Sequence, residues 1–150
     1  MKILIQRVGH ASIEVEHKMH AQIKSGLLIF LGIEKDDDSS DVDYLIGKSA
    51  ALRIFNDADG KMNLSIQDVG GEALIVSQFT LHASTKKGNR PSYVKAARPE
   101  DAIPLYEYFI QKMNLEIPEK VKSGVFGADM KIQLLNDGPV TIMIDSKNKE

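Results

Sequence analysis

Cysteine is missing from the chain, which excludes disulfide bonds and thiolate metal ligation and leaves thiol redox chemistry without a handle. Also missing is any run of about eighteen apolar residues, the length a helix needs to cross a bilayer. The amino terminus is a short apolar stretch broken by Gln6 and Arg7, not a charged leader ending in a small-residue cleavage site. These absences fit a soluble, unexported protein in the cytoplasm with no membrane contact. Net charge is nearly absent too. The formal balance of -2 carries no global signature for nucleic acid, so any such contact has to come from a local patch.

What is present suits one domain: 150 residues with 43% apolar content can bury a real core. Lys2 to Val8, Ser12 to Glu16 and Met19 to Lys24 read as short strands, with Ile13 and Val15 alternating against Ser12, Glu14 and Glu16, hence an antiparallel pair or meander. Leu27 to Ile33 is a continuous apolar run suited to a buried central strand. Asp36 to Ser40 supplies acidic and capping residues ahead of Val42, Leu45, Ile46, Ser49, Ala50 and Ile54 at helical spacing. A turn at Asn56 to Gly60, a strand at Met62 to Ile66, a turn at Gly70-Gly71 and a long strand from Glu72 to His82 follow.

Leu105 to Leu115 predicts a second helix, with Pro104 either in its first turn or kinking a helix that starts near Pro99. Met130, Ile132 and Leu134 alternate up to the Asn136-Asp137-Gly138-Pro139 turn, and Val140 to Ile144 reads as the returning strand of a hairpin. The expected fold is α+β: a single domain over residues 1–145 whose sheets are covered by two helices, with a frayed tail at 146–150, and the pattern leaves the sheet topology open.

Two segments carry chemistry. In Ser77-Gln78-Phe79-Thr80-Leu81 an apolar strand ends in two hydroxyls and an amide, and polar groups at such a place need partners or a purpose. Ser77 and Thr80 either hydrogen-bond their own strand end or serve a site. In Asn136-Asp137-Gly138-Pro139-Val140-Thr141 the plain reading is a tight turn.

Together the strings SQFTL and NDGPVT resemble the two signature motifs of the D-aminoacyl-tRNA deacylase family. The likeness spans nearly the whole chain, through Leu4-Ile5-Gln6-Arg7-Val8, Gly32 to Asp38, Arg53-Ile54-Phe55, Gly60 to Leu64, Arg90-Pro91-Ser92 and Phe126 to Met130. Arg98 ahead of Pro99 departs from the small capping residue natural there, and Pro104 falls in the following helix.

This resemblance implies a homodimer that hydrolyses the ester of a D-amino acid, and of glycine, on the aminoacylated 3' end of tRNA, as chiral proofreading. It implies antiparallel and mixed sheets in a barrel-like layered core covered by two helices, and a catalytic segment of Ser77, Gln78, Phe79 and Thr80. A cis Gly138-Pro139 pair would reach into the partner's pocket, with Arg7 bracing that turn, and Phe126 and Met130 would lie near the terminal adenosine. No cofactor and no metal are implied. An L-aminoacyl-tRNA editing enzyme of the same fold and a non-enzymatic nucleic-acid-binding module are the alternatives.

Weaker signals stand beside these. His82 is two residues from Thr80 and could in principle act as its base, but it lies outside the motif, and packing or exposure accounts for His10, His17 and His20 as well. Asp57-Ala58-Asp59-Gly60 is similar to the centre of a calcium loop, yet aligning Gly60 with the loop glycine puts Phe55 and Ile66 at ligand positions, so the metal reading fails. Ser84 to Arg98 holds Lys86, Lys87, Arg90, Lys95 and Arg98 with no acid, either a solvated loop or a phosphate-binding patch.

Overall fold

The computed structural model describes all 150 residues. Strand β1 (Lys2–Val15) turns into β2 (Lys18–Ile23), and β3 (Gly26–Gly32) returns beside β1. Helix α1 (Ser39–Ala51), a small hairpin of β4 (Phe55–Asn56) and β5 (Met62–Leu64), and β6 (Glu72–Ser77) follow. A 3-10 turn (Phe79–His82), helix α2 (Pro99–Glu116), β7 (Val121–Ser123) and β8 (Met130–Asp145) complete the chain. β1 is antiparallel to β2, β3 and β8, while β3, β6 and β7 run parallel. The sheet order is β2-β1-β3-β6-β7 with β8 along the other edge of β1, and β2 curls back beside β6 and β7, so the sheet nearly closes. This is the α+β, barrel-like layered core with two helices that the sequence implied.

Both faces of the central strands are buried, which explains the continuous apolar run. Leu27, Ile29 and Leu31 of β3, with Ala73 and Ile75 of β6, face α1 and α2, where Val42, Leu45, Tyr106, Phe109 and Met113 meet them. Leu28, Leu74 and Val76 point the other way, into the barrel, against Val8, Ala11, Ile13 and Ile23. Phe109 is fully buried, and truncating such a ring costs about 3 to 5 kcal/mol.

Helix α1 starts where the sequence said. Asp38 accepts from the Ser40 backbone at 2.8 Å, and the Asp41 carboxylate accepts from the Asp38 N–H at 2.9 Å, a capping box. It ends at Ala51, so Ile54, expected on its stripe, lies beyond it in the core. Helix α2 begins at Pro99 and carries Pro104 inside, the second of the two expected starts. Arg98 at its N-cap makes no side-chain cap, and Glu100 and Asp101 supply the favourable first-turn charge instead.

Four expectations are corrected. The two opening strands are one, β1, because β3 partners its first half, β2 its second, and β8 its whole length. The strand at Glu72 stops at Ser77 rather than His82, since β3 ends at Gly32 and offers no further ladder; the chain folds over Gly32, where an added Cβ would lie 3.0 Å from both Gln78 O and Leu81 Cβ. The expected hairpin at Asn136–Pro139 does not form. Met130–Asp145 runs in one direction along β1, and Asp137–Val140 bulge out between the pairs Val8–Asn136 and Gln6–Thr141. Finally, the tail expected to fray is held at its start: Ser146 is buried and its N–H donates to Met1 O at 2.9 Å, while Lys147 Nζ lies 2.9 Å from Asp41 Oδ2.

Candidate active site

Where β6 ends, Gln78 N–H donates to Leu31 O at 2.8 Å and Leu81 N–H to Gln78 O at 3.2 Å. These bonds fix the turn and leave the N–H groups of Phe79 and Thr80, at its head, without an acceptor inside it. The Gln78 side-chain amide donates to the Thr80 hydroxyl, fixing both side chains. Beside this turn lies a cavity of about 330 Å³, lined by Ser77, Gln78 and Phe79, by Phe126 to Met130 of the loop entering β8, and by apolar side chains of β3 and α2.

Five of the residues singled out from the sequence, Ser77, Gln78, Phe79, Phe126 and Met130, therefore wall one cavity, although about fifty residues of chain separate the two groups. Gly127, with φ +77°, turns the backbone so that this loop can close over the cavity. Behind Phe126 stands Tyr106, edge-on at 5.6 Å, its hydroxyl donating to Ile75 O at 3.2 Å. Burial pushes that hydroxyl up to about 12, with a hydrogen bond to Ser123 acting the other way, so Tyr106 supports the wall as a neutral group. The sequence placed Tyr106 only on a helical core stripe, and nothing local marks it as the backing of a site.

Arg7, Thr80, Gly138 and Pro139 are not among the residues lining this cavity; Thr80 sits in the turn beside it. Arg7 is buried, and donates from Nε to Asp137 O at 2.7 Å and from a terminal nitrogen to Ile54 O at 2.6 Å. Asn136 Nδ2 closes the bulge by donating to Arg7 O and Val140 O, both at 3.1 Å. The Gly138-Pro139 bond is cis, both residues are exposed, and a Cβ on Gly138 would run into the Val140 backbone nitrogen. A rigid backbone knuckle thus stands on the surface, away from the cavity of its own chain.

No histidine lines the cavity. His82 turns inward, with Nδ1 3.4 Å from Glu34 Oε2, and the other three are exposed. Asp129 is at the cavity rim, paired with Lys131 at 2.9 Å and largely in solvent. The cavity is apolar, Ser77 is the one hydroxyl-bearing residue in its lining, and the unpaired N–H groups of Phe79 and Thr80 belong to the turn beside it; an already activated ester would need little more than orientation and an oxyanion donor at such a place.

The sequence comparisons name that class more closely. The family described as D-Tyr-tRNA(Tyr) deacylase matches residues 4–145. D-aminoacyl-tRNA deacylases of Christiangramia forsetii and Flavobacterium johnsoniae are 60% and 57% identical, over 99% and 100% of both chains. Among solved structures, the c-Myc DNA Unwinding Element Binding Protein superposes with a TM-score of 0.92 at 37% identity, over 97% of this chain and 98% of that one. A probable eukaryotic D-amino acid tRNA deacylase shares the fold, with a TM-score of 0.81 at 16% identity over 95% and 97% of the two chains. The chain belongs to the D-aminoacyl-tRNA deacylase family and is a hydrolase of aminoacyl-tRNA esters.

Proposed function

We propose that the protein works as a cytoplasmic homodimer that removes D-amino acids from tRNA at a cavity completed by its partner. The observation carrying this reading is the separation of the two motifs. Ser77, Gln78 and Phe79 line a cavity, with Thr80 in the turn beside it, while Gly138-Pro139 is exposed on an anchored knuckle outside the cavity of its own chain. In a symmetric dimer each knuckle would enter the other subunit's cavity.

A water attacks the acyl carbon, and the N–H groups of Phe79 and Thr80 stabilise the oxyanion that forms. The Gln78 N–H, bonded to Leu31 O, is committed elsewhere. As the intermediate collapses, the bond from the acyl carbon to the ester oxygen breaks, and the proton given up by the water passes to that oxygen through the neighbouring ribose hydroxyl, so neither a cofactor nor a metal is called for. Thr80, held by Gln78, positions groups and does not attack. Phe126 and Met130 hold the terminal adenosine.

Main-chain carbonyls of the partner's knuckle bind the substrate amino group, so that an L side chain would strike the wall while a D side chain points to solvent. One site then serves many D-amino acids. Parallel deacylation of D- and L-tyrosyl-tRNA tests the reading: D-tyrosyl-tRNA is cleaved and the L ester spared. Cleavage of the L ester alone would make this an L-editing enzyme, and RNA binding without cleavage a non-enzymatic module. A monomer by sedimentation at assay concentration, still fully active, would refute the shared site.

A further inference from the structure

At the mouth of the cavity Phe79 is 56% exposed and meets Tyr93, 38% exposed, with ring centroids 5.0 Å apart and planes at 73°. Two aromatic rings held in contact yet left open to water form a surface of the kind that takes a partner. An edge-to-face pair leaves ring faces free for stacking. Phe79 also lines the cavity, so the pair extends the site outward.

The chain that carries Tyr93 fits one kind of occupant. Ser84 and Ser92 exchange backbone hydrogen bonds at 2.8 and 2.9 Å, closing a loop that holds Lys86, Lys87 and Arg90 immediately before Tyr93. Lys95 follows, all four cations are exposed, and no acid occurs from Ser84 to Arg98. The far end of the segment is pinned to the cavity wall, where Ala97 N–H donates to Ile33 O at 2.9 Å. Tyr93 thus lies between a cationic loop and the cavity, an aromatic step beside a phosphate-attracting track, which is the chemistry that binds single-stranded nucleic acid.

We infer that Phe79 and Tyr93 form a stacking platform for the base of the unpaired nucleotide that precedes the esterified terminal nucleoside. This rests on the proposed function, since the cavity fixes where that nucleoside sits. The platform grips any base face, while Lys86, Lys87, Arg90 and Lys95 meet the phosphates on its 5' side.

Three D-tyrosyl esters test it: of tRNA, of the trinucleotide CCA and of adenosine alone. With Tyr93→Leu, kcat/KM on tRNA and on the trinucleotide falls about 5- to 100-fold, the loss expected when one stacked base is released, and is carried by KM. The adenosine ester is cleaved as before, and Tyr93→Phe restores the longer substrates. An equal loss on all three esters, or none on any, overturns the platform. So does a shift of Tyr93→Leu to monomer, which would make the pair an interface between copies. An uncharged trinucleotide with 2-aminopurine at its middle position separates this from the activity itself: its fluorescence is quenched by the unaltered protein and not by Tyr93→Leu. If that pattern holds while no ester is cleaved, the functional reading falls and the platform stands; quenching unchanged by Tyr93→Leu overturns the platform.

Discussion

The Arg7 guanidinium reaches across 130 residues of chain to donate to the Asp137 carbonyl at 2.7 Å, and so ties β1 to the knuckle that carries Gly138 and Pro139. The same side chain holds the Ile54 carbonyl at 2.6 Å. Arg7→Ala leaves both carbonyls without their donor and is expected to lower stability by about 2 to 3 kcal/mol in denaturant unfolding. Arg7→Lys should recover only part, because an ammonium cannot present two directed donors to two separate segments. Equal stability of the arginine and lysine proteins would show that the fork geometry is immaterial.

Thr80→Ala is expected to reduce the deacylation rate without abolishing it. The hydroxyl, held by the Gln78 amide, orients groups that a water can partly replace, whereas a covalent nucleophile has no such substitute. Mass spectrometry of the enzyme quenched during turnover should find no acyl group on Thr80, and finding one overturns the water mechanism.

Replacing Lys86, Lys87 and Arg90 with alanine should weaken tRNA binding and flatten its salt dependence, each lost phosphate contact lowering the slope by about 1 at most. All three side chains are exposed, so the fold should be unaffected. An unchanged slope would return the loop to solvent.

Acid should loosen the junction between the chain's end and α1. Burial of the Asp41 carboxyl opposes its ionisation, but hydrogen bonds from Lys147, Ser146 and the Asp38 backbone outweigh it and hold its pKa at about 2. A carboxylate whose folded pKa lies below its unfolded value stabilises the fold above the unfolded value, and that stability is lost as pH falls through the window from about 4 to 2. The contribution is on the order of 1 to 2 kcal/mol. Asp41→Asn should be less stable at neutral pH and show a shallower fall across that window, measured by thermal unfolding; an identical pH profile would remove Asp41 from the account.

Glycyl-tRNA should be cleaved to some degree, while L-alanyl-tRNA on the same tRNA body resists. Selection by a backbone wall excludes an L side chain, and glycine has none to exclude. A methyl merely missing from an apolar pocket is worth about 1 to 3 kcal/mol, whereas one forced into a rigid wall is refused more strongly. If glycyl-tRNA is as inert as the L-alanyl ester, with D-alanyl-tRNA cleaved, then selection depends on contacts to the D side chain.

Local chemistry was readable in the sequence wherever a segment needs no distant partner. The acidic run at Asp36 to Ser40 encodes its own capping box, the apolar run of β3 announces burial on both faces, and the strings SQFTL and NDGPVT name the family before any fold is known. Tertiary structure decided what depends on a partner strand. The residues from Glu72 to His82 look like one strand, but the ladder ends where β3 ends, and the turn thereby frees the N–H groups of Phe79 and Thr80. Asn136 to Val140 looks like a hairpin, but β1 is long enough to pair with the chain on both sides of it, so the turn becomes an exposed knuckle held by Arg7. Ser77, Phe126 and Tyr93 likewise come to the mouth and walls of one cavity only because β6 pairs with both β3 and β7, Gly124 N–H bonds to Ile75 O, and Ala97 N–H bonds to Ile33 O beyond β3, and no spacing along the chain records that adjacency.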